Sequence, residues 1–264
     1  MGVDKSDVLK KMREAEAIYV LMSDCTRMPF VVCDPETYDD QVLIFFSEEE
    51  AMKGGQEFLK EGNPLKIFNI ENKYMLPFYS SLFPAGVNGM WVGKDTEEEI
   101  KQALSAVGKN SPEDELKLQL TELVRRPEQK PGEEPIENPS FQITAMYFMQ
   151  KARKQKEMKI TEDMKDLQEE LMAHYQDATF ITAVTEEKKM PVLNKNDGQV
   201  LLPLFTDVQE FLKFQNNHSD TRYSMGVLEA VKVPEAMGDE MTGVVVNPFG
   251  VDLQLNIVRP QNQN

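Results

Sequence analysis

The stretch TGVVVNPFGVDLQLN, residues 242–256, decides the fold. Gly243 to Val246 is a continuous apolar, β-branched run, the composition of a strand buried on both faces. Asn247-Pro248-Phe249-Gly250 then reads as a tight turn. Proline fixes φ, asparagine can bond its own downstream backbone, and glycine permits the reversal. VDLQLN alternates beyond the turn, with Val251, Leu253 and Leu255 predicted to face inward. Turns at strand ends also carry sites, which makes Asn247 and Phe249 candidate partner-binding residues.

Outward from this stretch, the chain contains the same plan twice. Residues 17–94 run parallel to residues 178–256. AIYVLMSDCTRMPFVVCD and ATFITAVTEEKKMPVLNK are each a β-rich run, a polar turn, then Met-Pro and further apolar residues. DDQVLIFFSEEEA and DGQVLLPLFTDVQEF each give a strand ending in Phe plus a hydroxyl residue, Phe46-Ser47 and Phe205-Thr206, before an acidic helix start. Ser47 and Thr206 are predicted N-caps, because a side-chain oxygen can accept the free amides of a first turn. Ser47 with Glu50 makes a capping box. PLKIFNI (64–70) and YSMGVLEAV (223–231) read as one strand each, followed by short helical segments near 74–84 and 233–240. AGVNGMWVG stands in the first copy where TGVVVNPFGVDLQL stands in the second, and Asp95 with Glu98 is predicted to open a helix after it. A helix precedes each copy, with Val8, Met12 and Ala15, or Met164, Leu167, Leu171 and Tyr175, on one face. Asp197-Gly198 is a hairpin turn signal.

The fold class is therefore α+β: two tandem similar domains, each a mixed β-sheet of about five strands with flanking helices in the order α-β-β-β-α-β-α-β. The first domain spans 1–108 and is a diverged copy. A helical and proline-rich linker spans 109–158, and the second domain spans 159–264. Within the linker, Leu116, Leu120, Leu123 and Val124 suggest a short helix and 127–139 reads as extended. A central helix follows, with an apolar block at Phe141, Ile143, Met146, Tyr147, Phe148 and Met149 and a basic tail at Lys151, Arg153, Lys154 and Lys156.

Net charge is −16 over 264 residues, with 41% hydrophobic and 28% charged residues. The acids concentrate in the two end segments. Such a field repels nucleic acid and anionic headgroups, so no nucleic-acid partner is expected. No apolar run approaches the ~20 residues of a membrane span, so no stable membrane insertion is expected. No cationic-then-apolar leader opens the chain, and a cytoplasmic location is the expectation. Two cysteines exclude a disulfide framework, and Cys33, in FVVC, is expected in the core.

Chemistry-bearing patterns fail one by one. GMWVGKD resembles a phosphate loop, but Asn88 stands where the leading glycine belongs and Asp95 where Ser or Thr belongs. His174 and His218 have no zinc-ligand spacing to the cysteines. Cys25 is a conceivable nucleophile with Arg27 nearby to lower its pKa, but a lone cysteine next to one arginine is common by accident. No catalytic residue, metal site or cofactor is expected.

MPVL, LPLFTDVQEF and TGVVVNPFGVDLQLN, in that order and spacing, resemble the SseB-type (enhanced serine sensitivity) family. The resemblance extends over 178–256. It is weaker over 17–94, where Gly86-Val87-Asn88-Gly89 replaces the ending and the proline is missing. It implies the fold of that family's N-terminal domain and brings no catalytic residues. The expected function is a non-enzymatic protein–protein interaction module, with Phe205, Asn247, Phe249, Phe141 and Phe148 as candidate contacts. The alternative is a small-molecule-binding regulator or enzyme with its site at the junction of the domains.

Overall fold

A computed structural model describes residues 4–104, 135–155, 160–195 and 197–257. The short helix expected around Leu116 and most of the extended 127–139 segment lie outside these residues. The chain forms two compact units, Met1–Pro135 with Gln150–Lys159, and Ile136–Met149 with Ile160–Asn264.

The first unit contains α1 (Lys5–Glu14), β1 (Ala17–Ser23), β2 (Met28–Pro29), β3 (Val31–Cys33), β4 (Asp40–Phe45), α2 (Glu48–Lys60), β5 (Leu65–Glu71), α3 (Asn72–Leu82), β6 (Gly89–Val92) and β7 (Ile100–Ala103). The second contains α5 (Glu162–Asp177), β8 (Thr179–Val184), β9 (Leu193–Asn194), β10 (Val200–Phe205), α6 (Val208–Asn217), β11 (Ser224–Glu229), α7 (Val233–Ala236), β12 (Gly243–Val246) and β13 (Leu253–Asn256). Helix α4 (Pro139–Arg153) is divided at Met149 between the two units.

Both sheets have one topology. Strands run β5-β1-β4-β6-β7 in the first and β11-β8-β10-β12-β13 in the second, with the short β2 and β3, or β9, paired beside this path. In each sheet the central pair, β4 with β6 or β10 with β12, is parallel, and the other pairings are antiparallel. The registers coincide as well. Tyr19 pairs with Phe45 and Ile44 with Val92, while Ile181 pairs with Phe205 and Leu204 with Val246. This is the α+β duplication of the sequence, with small added strands.

The coincident registers also correct the sequence alignment by one residue. Phe45 corresponds to Phe205, so Ser47 corresponds to Asp207 and not to Thr206. Asp207 is the N-cap of α6, its Oδ1 accepting from the Gln209 amide at 2.8 Å and the Glu210 amide at 3.1 Å. Ser47 caps α2 as predicted: its Oγ accepts from the Glu50 amide at 3.2 Å, and Glu50 Oε2 accepts from the Phe46 amide at 3.0 Å.

Two apolar layers sandwich each sheet. In the first unit Leu21, Leu43 and Phe45 pack with Ala51 of α2. On the opposite face Ile18 and Val20 are fully buried, and α3 packs on β1, β5 and α1. In the second unit Ile181, Ala183 and Phe205 pack under Phe211 and Phe214 of α6. Phe180, on the other face, meets Phe141 of α4 and Tyr175 of α5 at ring separations of 5.5 and 5.6 Å.

Two further expectations change. Asp95 and Glu98 open no helix: Gly93 and Asp95 both have left-handed backbone, and the chain turns into β7. The Trp91 indole N–H and the Asp95 amide donate to the two Glu99 carboxylate oxygens at 3.0 and 2.8 Å and hold that turn. Cys33 is exposed at the end of a three-residue strand, outside the core.

Gly93 has φ 62°, and a Cβ there would lie 2.7 Å from Thr96 Oγ1. Left-handed backbone costs an L-residue about 1–2 kcal/mol before any clash is added. Gly93→Ala is therefore expected to lower the protection of β4 and β6 amides in native-state hydrogen exchange. Unchanged protection would show that this turn tolerates a side chain.

Candidate functional site

The residue after the parallel strand occupies one place in both units. Gly93 donates its amide to Ile44 O at 2.8 Å, and Asn247 donates its amide to Leu204 O at 2.9 Å. Both have positive φ, 62° and 52°. Glycine takes that conformation freely, and asparagine is among the few other residues that tolerate it. The choice of asparagine gives the second unit a side chain at a place where the first has none.

That side chain organises a buried polar cluster. Asn247 Oδ1 accepts from the Thr206 amide at 3.0 Å. Its Nδ2 donates to Gln142 Oε1 at 2.5 Å and to Thr206 Oγ1 at 2.8 Å. The Thr206 hydroxyl has Gln142 Oε1 at 2.7 Å and Asp207 Oδ2 at 2.8 Å as acceptors. Nearby, Asn138 Nδ2 donates to the carbonyls of Thr179 and Thr206 at 2.9 and 2.8 Å. Gln142, Thr206, Asp207 and Asn247 are all buried. The asparagine thus bonds the start of α4 and the β10–α6 junction, and its side chain does not cap its own downstream backbone. Gly250 and Asp252 instead donate their amides to the Asn247 carbonyl, both at 2.9 Å. The reversal relies on positive φ at Asn247 and Asp252, not at Gly250.

Two more carboxyls adjoin the cluster. Glu210, in the first turn of α6, is 3% exposed, and burial pushes its pKa up, with Asp207 adding to the shift and Lys213 opposing it. Burial and then the charge of Asp207 push Glu137 up as well.

These facts revise the sequence-derived contact residues. Phe205, Asn247 and Phe141 are buried, so the folded unit offers their side chains to no partner; their hydrophobic and turn signals mark core positions. Phe148 and Phe249 keep part of their surface open. Phe249 leans on the core formed by Phe205 and Phe214, with its ring 5.7 Å from that of His218. The buried Gln142 has no distinctive sequence signal and Thr206 reads only as a helix cap, since only the tertiary contact joins them.

The remaining chemistry-bearing residues are structural too. Lys94 is 5% exposed, pairs with Glu57 at 3.1 Å and Asp95 at 2.7 Å, and lies over the Trp91 and Phe58 rings. Burial works against its charge, but the hydrogen bonds to Asp95 and Glu57 outweigh it and raise the pKa. Cys25 is buried, and burial pushes its thiol up, the reverse of what an activated nucleophile needs. Among the described residues no group of three His, Cys, Asp or Glu side chains could hold a metal ion. No described helix is long and apolar enough to cross a membrane.

Residues 158–258, nearly all of them in the second unit, match the family model of the SseB protein N-terminal domain, the family that the LPLFTDVQEF and TGVVVNPFGVDLQLN stretches resemble. Two solved structures are similar over most of the chain. Tic22 from Plasmodium falciparum is 15% identical over 88% of this chain and 87% of its own, with a TM-score of 0.20. Tic22 from Anabaena, described as protein transport, is 10% identical over 92% of each chain, with a TM-score of 0.22. At such TM-scores the likeness carries no argument. No curated protein matches the chain.

Replacing Asn247 separates its two roles. Asn247→Gly keeps the backbone but leaves the Thr206 amide without its partner and Gln142 Oε1 with the Thr206 hydroxyl alone, a loss of about 1–3 kcal/mol. Asn247→Ala adds the left-handed penalty, only partly offset by the chain entropy that glycine brings to the unfolded state. Denaturant unfolding is expected to rank stability as wild type, then glycine, then alanine. An alanine variant as stable as the glycine variant would contradict the backbone constraint.

Proposed function

We propose that the protein is a non-enzymatic, SseB-like protein–protein interaction module, with two copies of the domain at 1–108 and 159–264 joined through 109–158. The carrying observation is an open sheet edge repeated in both copies. Among the described residues β5 pairs with β1 alone, and β11 pairs with β8 alone. Each edge strand exposes a sizeable apolar side chain, Phe68 at 53% and Val227 at 64%. Tyr74 and Val231, just beyond the ends of β5 and β11, are exposed as well. An edge strand is a row of unpaired amides and carbonyls, a template for an added strand unless charge, proline or a bulge blocks it. The partner that fits is an extended protein segment, bonded through its main chain and placing alternate apolar side chains beside Phe68 or Val227. The half-exposed Phe148 and Phe249 are further candidate contacts. The strong negative charge disfavours nucleic acid as the occupant.

The reading is tested by crosslinking in native cells, capture and mass spectrometry of wild type and a Phe68→Lys, Val227→Lys double variant. Both positions are exposed, so stability should change by only about 0.5 kcal/mol per site. Recovery of the partner is expected to collapse in the variant, because lysine on an edge opposes strand addition. A partner recovered equally from both proteins would remove the edge-strand reading.

A further inference from the structure

The carboxyl of Glu210 is enclosed in an unusual way. Its Oε1 accepts from Lys213 Nζ at 2.5 Å, while Oε2 is buried with no hydrogen-bond partner. The β12–β13 turn closes over it: a Cβ on Gly250 would lie 2.6 Å from Oε2 and 3.0 Å from Cδ. A side chain at Gly250 would therefore have to displace this carboxyl, while the residue's own φ sets no constraint. The charged groups facing Glu210 are few. Asp207 is the N-cap of α6, Lys213 lies on α6, and Glu137, ahead of α4, feels the charge of Asp207. Asp252, on the turn, is committed to Lys195 at 3.2 Å.

We propose that Glu210 is a proton-operated latch on the β12–β13 turn: proton uptake at its buried carboxyl holds the turn, and with it the Asn247 network, against α6, and proton loss loosens it. A neutral carboxyl fits the enclosure, since it carries no charge to hydrate. A carboxylate there is paired through Oε1 with Lys213 and leaves the buried Oε2 without a protein donor, which is expensive in a buried site. Water reaches Oε2 most directly when the turn carrying Gly250 lifts. The pKa direction agrees, raised above 4.5 first by burial. For such a group the unfolded chain holds fewer protons than the folded one between the two pKa values, so stability falls as pH rises. The stabilisation is full below the unfolded value and is lost as pH rises through the folded one. Glu137, shifted in the same direction, is the competing source of any such slope.

The test is hydrogen exchange of the full chain, followed at residues 247–252 from mildly acidic to neutral pH and corrected for intrinsic exchange. In the wild type, protection of the turn is expected to fall several-fold as pH rises. Glu210→Gln, neutral at every pH, should keep the turn protected and remove the slope. Gly250→Ala should displace the carboxyl and also remove the slope, at lower overall stability, which keeps the test decisive if the glutamine variant folds poorly. A wild-type slope that survives in either variant, or that disappears in Glu137→Gln instead, overturns the proposal. So does wild-type protection that rises with pH.

Discussion

The structure depends on one backbone constraint, repeated twice. At the end of the parallel strand the chain must turn in a left-handed conformation while its amide still bonds the neighbouring strand. Gly93 does this against Ile44, and Asn247 does it against Leu204. A parallel pair inside a mostly antiparallel sheet can be made only by a long crossover, which each unit builds from a helix, an edge strand and a further helical segment. The turn then sends the chain back as the last antiparallel strand. Given this constraint, the coincident registers of the two sheets follow.

The two copies diverge at the same point. Glycine leaves the first unit without a side chain at this place, where Thr96 closes in, while asparagine gives the second a buried hydrogen-bonding centre. Around that centre the second unit gathers Gln142 of α4, Thr206 and the capped start of α6. Buried polar groups are tolerated when their partners are supplied, and the Asn247 side chain uses both its oxygen and its nitrogen. Glu210 breaks that pattern with one oxygen satisfied and one orphaned, and such a place in a native fold calls for an explanation.

Much of this architecture was legible in the sequence because local chemistry and tertiary structure agree. The Ser47–Glu50 capping box and the Asp197-Gly198 hairpin turn both form, with Gly198 at φ 86°. What was not legible lies where several local solutions are equally good. Thr206 and Asp207 can each cap a helix; in the fold the Thr206 hydroxyl is engaged by Asn247 and Gln142, and Asp207 accepts the free amides. The run from Asp95 to Glu99 has the composition of a first helical turn, yet the left-handed Gly93 and Asp95 direct it into a strand. The apolar block of α4 is hydrophobic nearly all round, so periodicity could not separate buried Phe141 from half-exposed Phe148. In the sequence Phe205 and Asn247 read as surface candidates because a turn beside an aromatic can be either a site or a core corner. Here it is a core corner.

With the cores closed and the polar centres turned inward, the repeated feature on which the proposed interaction rests is the edge. β5 and β11 are the same strand in the two copies, and each bonds one neighbour among the described residues. The most direct measurement is residue-resolved hydrogen exchange of the free protein along these two strands. Alternate amides, those directed away from β1 and β8, are expected to exchange at near-unprotected rates while their inward neighbours remain protected. Uniform protection along β5 and β11 would mean that both edges are already covered, and would contradict the account.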